Sequence, residues 1–423
     1  MGAAQWASDR RRPHVQGCRL LTTSPAAATH LHPRVRVAVS GIFALNGLLA
    51  AMWVAHIPVV QSRTGVDHAT LGGLLLALGG SAFIGMQVMG PLTDRYGSRY
   101  PTVFSAIALS GAIVLPGLAT GTTSLALALV AFGFCNGALD VCMNSQAVLT
   151  EREYGRPIMS SFHGFFSVGG LIGSGVVAAT VATDVPLPAT LLVCCVLGVA
   201  ATLLLAGSLL AGRPGDGRSD AEIVADGPER KPWGRIALLA AVAFSVMLAE
   251  GTAYDWSALH LVERFDQPEA MGAVAFGAFS ATMVIARFSA DAVSARLGPV
   301  AVVRVGSLVA VAGIAVVICS PTPLLSVVGW AIFGLGVAGG VPQLLTAAGN
   351  LSTRSSGQTI SLVVGFGYVG MLSGPAVIGP VSHWWSLGSA LWIAAAGMLF
   401  AAVAAPIVRP RATTTDPVRT ASH

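Results

Sequence analysis

The sequence predicts an all-helical membrane protein whose twelve transmembrane helices form two homologous six-helix bundles. Of its 423 residues, 54% are hydrophobic and only 10% are charged, whereas soluble domains are roughly 25% charged. The apolar residues fall into twelve segments, and about 20 such residues cross a bilayer as one helix. The second half of the chain also repeats features of the first half at a constant spacing. So few charges cannot cover a water-facing surface, and we therefore expect the lipid bilayer to surround most of the chain.

The first bundle is predicted to span residues 35–211. Residues 1–34 precede it, and they are polar and contain arginine but no apolar core. This composition predicts a disordered cytoplasmic tail rather than a cleavable signal peptide. The apolar segments of this bundle lie at 36–60, 69–90, 101–119, 123–148, 160–182 and 186–211.

The second bundle is predicted to span residues 234–408. Residues 212–233 separate it from the first bundle and are charged and contain glycine and proline, which is typical of a flexible interdomain loop. A second polar tail, residues 409–423, follows the bundle. The apolar segments of this half lie at 234–262, 269–290, 299–319, 323–348, 357–381 and 384–407.

Corresponding residues recur in the two halves. A shift of 201 residues superimposes residues 95–97, Arg-Tyr-Gly, on residues 296–298, Arg-Leu-Gly. The same shift superimposes the Phe-Gly pair at 132–133 on the pair at 333–334. Because one spacing serves separate helices, it predicts two homologous bundles in parallel orientation.

Basic residues predict the orientation. The loops on one side of the predicted helices contain only Arg63 and Arg264, and the rest of the 24 lysines and arginines lie in loops, tails or helix ends of the other side. Cytoplasmic loops of membrane proteins are rich in lysine and arginine. We therefore expect a multi-pass protein of the inner membrane with both termini and the central loop in the cytoplasm.

The connection between the second and third predicted helices carries the most specific motif. Residues 90–99 read Gly-Pro-Leu-Thr-Asp-Arg-Tyr-Gly-Ser-Arg, and this stretch resembles the signature loop of the major facilitator superfamily. The resemblance implies that the loop switches a transporter between outward-open and inward-open states. Its two glycines are expected to allow tight backbone turns. The gating residues implied are Gly90, Asp94, Arg95, Gly97 and Arg99.

The second half carries a degenerate copy of this loop. Asp291 occupies the place of Gly90, and Ala295 replaces the acidic residue. We therefore expect Asp291 to contribute less to switching than Asp94 does.

Four further stretches resemble the YbjJ-like branch of the superfamily. They are residues 133–144 of the fourth predicted helix, 160–164, 250–256 and 367–375, and the whole resemblance covers residues 35–408. The branch is mostly of unassigned substrate, with some likeness to sugar permeases, so the resemblance implies a fold and a class of mechanism. An arginine that the superfamily usually carries in the fourth helix is missing, and proton coupling through that residue is not expected.

Carboxylates inside the predicted membrane spans indicate the candidate site. Asp140, Glu250 and Asp255 lie away from the ends of their helices. A charge at the bilayer centre costs about 2.5 to 3.5 kcal/mol, so such groups usually face the bundle interior. Asn136 and Asn144 stand four residues on either side of Asp140 and share one helix face with it. We expect Asp140 and Glu250 to face each other across a central cavity; the alternative is that the stripe hydrogen-bonds neighbouring helices.

Other residues of the predicted helices complete the candidate pathway of the substrate or the proton. Each also has a structural interpretation, either as an aromatic residue at the membrane interface or as a hydrogen-bonding group between helices. These residues are Asn46, Trp53, Trp256, Gln343 and Tyr368.

The predicted function is secondary transport of a small solute by alternating access around a site near the bilayer midplane. Sugar-like solutes are favoured because the polar stripe offers amide and carboxylate groups for hydrogen bonding. Protons are the expected coupling ion, with uniport as an alternative. A proton-driven exporter of drugs or metabolites is the second transporter class, and a transporter-like sensor and a membrane-embedded enzyme are alternatives from other classes.

Several other classes are not expected. The sequence has no GxxxxGK[ST] loop, no HExxH motif and no evident pairing of a nucleophile with a base, so neither an enzyme nor a nucleotide cofactor is predicted. The cysteines lack metal-ligand spacing, so no metal site is predicted. The net charge of +5 comes from arginines that set the topology, and nucleic acid is not an expected partner. We expect a monomer.

The orientation is testable by labelling. Cysteines introduced at Glu151, Arg218 and His423 should react only with reagent on the cytoplasmic side, and a cysteine at Arg264 only with reagent on the periplasmic side. The measurement is accessibility to a membrane-impermeant maleimide in intact cells and inverted vesicles. Labelling of position 264 from the inside alone would reverse the predicted topology.

Overall fold

The computed structural model describes residues 31–212, 231–352 and 355–410. Within these ranges it contains twelve helices that are long and apolar enough to cross a membrane, and all of its regular secondary structure is helical. This confirms the predicted fold class. Most of the two predicted tails and of the central loop lie outside the described residues, as do Arg218 and His423.

Six helices form each half of the chain. In the first half they are α1 (Leu31–Thr64), α2 (His68–Tyr96), α3 (Arg99–Ala112, continued by Val114–Leu118), α4 (Thr122–Tyr154), α5 (Met159–Ala182) and α6 (Leu187–Ala206). In the second half they are α7 (Trp233–Phe265), α8 (Glu269–Leu297), α9 (Pro299–Cys319), α10 (Pro323–Val337 and Gly340–Gly349), α11 (Ser356–Trp384) and α12 (Leu387–Ala390 and Trp392–Ala404, ending in a 3₁₀ turn at Ala405–Val408).

Glycines hold matching helix pairs together in the two bundles. A Cβ added at Gly133 of α4 would lie 2.3 Å from the carbonyl oxygen of Leu78 on α2, and one at Gly334 of α10 would lie 2.3 Å from that of Phe279 on α8. The same shift of 201 residues relates both members of the two contacts. Only glycine permits so close an approach of helix backbones. The repeat in the sequence is therefore a repeat in packing.

Several helices extend further toward the predicted cytoplasmic side than their apolar segments do. The segment expected to end at Gly90 continues through Pro91 to Tyr96, because proline is tolerated inside transmembrane helices. Gly90 is thus not in a turn. It lies where α2 crosses α11, and a Cβ there would be 2.6 Å from the Ser361 hydroxyl oxygen.

The predicted gating loop is correspondingly shorter than expected. Asp94 and Arg95 lie on the last turns of α2, and Arg99 is the first residue of α3. Gly97 has the left-handed φ of +78° that ends α2, as expected of a turn glycine.

The two bundles meet most extensively along two helix pairs, α2 against α11 and α5 against α8, with smaller contacts of α4 and α5 with α10 and of α4 with α11. Each pair joins one helix of the first half to one of the second half. These two helix pairs determine where the site lies, because a cavity between the bundles must lie between the α2–α11 pair and the α5–α8 pair.

The glycine contacts are testable through stability. Gly133→Ala and Gly334→Ala should each destabilise the protein by about 1 to 3 kcal/mol, since the added methyl group meets a backbone oxygen that cannot move freely. Gly175→Ala on α5 is the control, because a Cβ there meets nothing within 4 Å. The measurement is the thermal unfolding midpoint in detergent. If all three variants unfold like the parent, close packing at these glycines does not stabilise the bundles.

Candidate functional site

A cavity of about 120 Å³ lies between the two bundles. Helices α4 and α5 form its wall on the first bundle, and helices α7, α8, α10 and α11 form its wall on the second. Its polar lining residues are Asp140, Asn144, His163, Glu250, Tyr254, Arg287 and Tyr368. Four of the predicted site residues therefore meet in one cavity: Asp140, Asn144, Glu250 and Tyr368.

Glu250 has a basic partner. The Nη2 group of Arg287 on α8 donates a hydrogen bond of 2.9 Å to Glu250 Oε1, and its Nη1 group donates one of 2.7 Å to the hydroxyl of Ser167 on α5. The Arg287 and Glu250 side chains are 7% and 9% exposed. Arg287 therefore neutralises a buried carboxylate of its own bundle and also joins that bundle to the other.

Arg287 is the main site residue that the sequence analysis missed. It lies near the inner end of the eighth predicted segment, 269–290, where an arginine is an ordinary topology signal. The helix instead continues to Leu297, which places Arg287 roughly three turns from its end. The available signal was Glu250 itself, since a carboxylate inside a span needs a partner and none is nearby in its own helix.

Asp140 has no such partner. Its Oδ1 accepts a long hydrogen bond of 3.4 Å from the side-chain amide of Asn144, which also donates to the Asp140 carbonyl at 2.8 Å. The Asn144 amide oxygen lies 3.2 Å from His163 Nε2. In the described part of the chain, the only ion pair within the cavity is Glu250 with Arg287. Asp140 is 7% exposed, so it is a buried carboxylate without a countercharge from these residues.

Two candidates on α1 lie inside the first bundle rather than along the cavity. Asn46 is buried and its side-chain amide contacts the sulfur of Met143 at 3.5 Å. Trp53 is 4% exposed and packs on Phe132, with ring centroids 6.5 Å apart. Trp53 therefore does not line the cavity. It is not an aromatic residue at the membrane interface either, because its ring is enclosed by its own bundle.

The remaining candidates also lie outside the cavity lining. Asn136 is half-buried, and Gln343 accepts a hydrogen bond of 3.1 Å from Ser294, so it pairs α10 with α8. Asp255 is exposed beside Gly374 of α11, and Trp256 packs against an apolar cluster around Ile378. These residues lie on the helices that the sequence predicted for them. The rotation of those helices about their axes keeps the side chains out of the cavity lining.

Acidic residues bind helix starts at the predicted cytoplasmic end of the interface between the bundles. Both carboxylate oxygens of Asp94 accept backbone N–H groups at the start of α11, from Gly357 at 2.7 Å and Gln358 at 2.9 Å. The positive end of the helix dipole adds to this attraction. The predicted gating residue thus fastens α2 of the first bundle to α11 of the second.

Asp291 makes the equivalent contact in the other helix pair. Its two carboxylate oxygens accept the backbone N–H groups of Ser160 and Ser161 at the start of α5, both at 2.8 Å. The expectation of a weaker second copy compared Ala295 with Asp94 by sequence position. In the structure, Asp291 lies one turn before Ala295 on α8, and it bonds the second and third residues of α5 just as Asp94 bonds the second and third residues of α11.

Further hydrogen bonds join α4 to α10 at the same end. Glu151 accepts a bond of 2.8 Å from the Thr346 hydroxyl, and Arg152 donates one of 2.6 Å to the carbonyl of Gly349. Glu151 also accepts the N–H groups of Ile158 and Met159, which precede or begin α5. Apart from the Arg287–Ser167 bond at the cavity, these hydrogen bonds between the bundles therefore lie between the cavity and the predicted cytoplasmic end.

The chain is similar to known transporters. The family model of the Major Facilitator Superfamily matches residues 39–313. An uncharacterized MFS-type transporter of Yersinia pestis is 33% identical over 372 residues, 86% of this chain and 94% of that protein. The membrane protein MosC of Rhizobium meliloti is 30% identical over 405 residues, 93% of this chain and 96% of that protein.

Solved structures show the same fold. The transporter FucP in its outward conformation superimposes with a TM-score of 0.73 at 14% identity, over 89% of this chain and 98% of that one. The proton:xylose symporter XylE gives 0.69 at 11% identity, over 89% and 95%. The likeness to the YbjJ-like branch stays a prediction. With a family model that matches more than half of the sequence and relatives that span nearly all of it, this chain belongs to the major facilitator superfamily of multi-pass membrane transporters, which are not enzymes.

Proposed function

We propose that this protein moves a small solute across the inner membrane by alternating access, with both termini in the cytoplasm. The observation that best supports this function is the single cavity that joins Asp140 of the first bundle to the Glu250–Arg287 pair of the second. A solute that contacts both walls binds best at one separation of the bundles. Its binding energy can therefore shift the balance between open and closed states.

The lining favours a small solute that forms hydrogen bonds. The Asn144 amide and the hydroxyls of Tyr254 and Tyr368 offer donors and acceptors. A sugar-like solute uses such groups. A proton-driven exporter of more apolar solutes is the second candidate, because Met143, Phe166 and other apolar side chains line the same cavity, and methionine adapts to varied ligands.

Asp140 is the proposed carrier of the coupling proton. A buried carboxylate without a countercharge gains by binding a proton, because the neutral form avoids the cost of an unpaired charge. Glu250 is less suited to this role, since Arg287 stabilises its charged form. The two carboxylates that the sequence predicted as equals are therefore proposed to act differently.

Conservative amide variants test this division of roles. Asp140→Asn should abolish uphill accumulation in proteoliposomes with an imposed pH gradient but preserve solute exchange, because the amide still hydrogen-bonds but cannot titrate. Glu250→Gln should impair both and lower stability by about 3 to 5 kcal/mol, since it leaves Arg287 buried and unpaired. The solute is first identified by a thermal-shift screen of a metabolite library at two pH values.

Asp255→Asn is the matched control for these variants. It removes a carboxylate that lies outside the cavity lining and should accumulate solute like the parent. If Asp140→Asn accumulates solute equally well, Asp140 does not carry the proton.

The paired aspartates are proposed to hold the inner gate closed. Each forms two charge-assisted hydrogen bonds to a helix start across the interface, and such bonds contribute roughly 1.5 to 3 kcal/mol each. Opening the cytoplasmic side requires all four bonds to break. Neither aspartate contacts the cavity, so the gate acts on conformation and not on solute binding.

Asp94→Ala and Asp291→Ala should therefore slow counterflow to a similar degree and leave solute affinity within about threefold of the parent. The measurements are the initial rate in proteoliposomes and the Kd by calorimetry. If Asp291→Ala shows the counterflow rate of the parent while Asp94→Ala is slow, Asp291 contributes less to switching than Asp94, as the sequence alone predicted. Loss of solute affinity in both variants would contradict a gating role.

A further inference from the structure

The charges that line the cavity do not balance. Asp140 and Glu250 are acidic, and Arg287 is the one arginine or lysine among the lining residues. Arg287 is bonded to Glu250 and to Ser167, and both partners lie on helices other than the one that carries Asp140. The Glu250–Arg287 pair is neutral as a unit. The described lining therefore has one negative charge in excess when Asp140 is ionised.

The other titratable groups that face Asp140 do not supply the missing positive charge. His163 on α5 uses Nε2 for its contact with Asn144, and it lines the same cavity as Arg287, whose charge opposes a second cation nearby. Tyr254 and Tyr368 are neutral when protonated. Asp140 is hydrogen-bonded only by the Asn144 amide among the described residues, at 3.4 Å.

A buried carboxylate of this kind is stable only when a cation shares the site. A proton is one such cation. A positively charged group on the solute is another, and the rest of the lining suits it, because the aromatic side chains of Phe166, Tyr254 and Tyr368 belong to the same cavity. Aromatic rings attract organic ammonium groups through their π faces. A neutral solute would supply no such group, and Asp140 would then depend on a proton alone.

We propose that the transported solute is a small protonated amine whose ammonium group pairs with Asp140. This inference rests on the proposed transport function and narrows its solute class from sugar-like compounds in general to monocations. The carboxylate binds either a proton or the ammonium group, because one negative charge balances one cation. Proton and solute therefore compete for Asp140 and cross the membrane in exchange for each other.

Matched pairs of compounds test the charge directly. The probes are 2-aminoethanol against ethane-1,2-diol, D-glucosamine against D-glucose, and 2-phenylethylamine against 2-phenylethanol, each added to the purified full chain. In at least one pair the amine should bind at least tenfold more tightly than its neutral partner by calorimetry. Asp140→Asn should reduce that preference to below about twofold, and Asp255→Asn should preserve it.

The pH dependence of binding tests the competition. The Kd of the preferred amine should rise as the pH falls, with a limiting slope of tenfold per pH unit, because one proton displaces one ammonium group. Asp140→Asn should remove the slope, and His163→Gln should retain it, which distinguishes the carboxylate from the imidazole. The pH range is chosen well below the pKa of the amine used, which for D-glucosamine means acidic pH, so that the charge of the amine does not change.

Three results would overturn the proposal: equal binding of the neutral partners, an amine preference that survives Asp140→Asn, or no binding by any amine of the panel. Alternating access is followed separately by the distance between spin labels attached to Glu153→Cys and Arg296→Cys. These two positions lie on different bundles at the predicted cytoplasmic end. If this distance responds to neutral solutes but not to amines, transport stands and the cation assignment falls. If it responds to no solute and no change of pH, alternating access itself fails.

Discussion

The hydrogen bonds of Arg287 are the interaction on which the arrangement of the site depends. One guanidinium group reaches Glu250 on α7 and Ser167 on α5, so it fixes the carboxylate, the facing wall and the distance between the bundles together. Removing either the acid or the base would leave a buried charge unpaired, at a cost of about 3 to 5 kcal/mol. Ser167 belongs to the opposite bundle. The Arg287–Ser167 hydrogen bond can therefore form only while the two bundles are close together beside the cavity.

This interaction also explains why the two carboxylates of the cavity differ. Glu250 and Asp140 are both buried and both lie near the middle of long helices. The second bundle supplies its acid with an arginine, whereas the first bundle supplies Asp140 with an amide at 3.4 Å. Two homologous halves thus provide one paired charge and one carboxylate without a basic partner among the described residues, which is the group we propose to bind a mobile cation. Transport driven by an exchange of cations needs such an asymmetry, since a site with every charge paired has no reason to take up or release one.

The sequence predicted the fold well and the site in part, for identifiable physical reasons. Apolar runs must be about 20 residues long to cross lipid, so the helices could be counted, and Asp140 and Glu250 stood out because charges inside such runs are costly. The partner of Glu250 could not be predicted, since Arg287 lies on another helix whose true end is seven residues beyond the apolar run. Trp53 and Gln343 do not line the cavity, and the sequence could not show this, because periodicity gives a helix face but not the neighbouring helix that covers it.

The same helix carries the charge of the site and one half of the gate. Arg287 and Asp291 are one turn apart on α8, and both bond α5, at Ser167 and at the start of the helix. Among the described residues, the cavity lining includes no charged side chain of α2 or α11, the helices that the Asp94 contact joins. Moving the second acidic residue one turn inward, about 5.4 Å along the helix, therefore does more than preserve the gate. It places the α5–α8 contact beside the cavity, so that Glu250, Arg287 and the Asp291 bonds to α5 form one connected set of contacts between the cavity and the proposed gate.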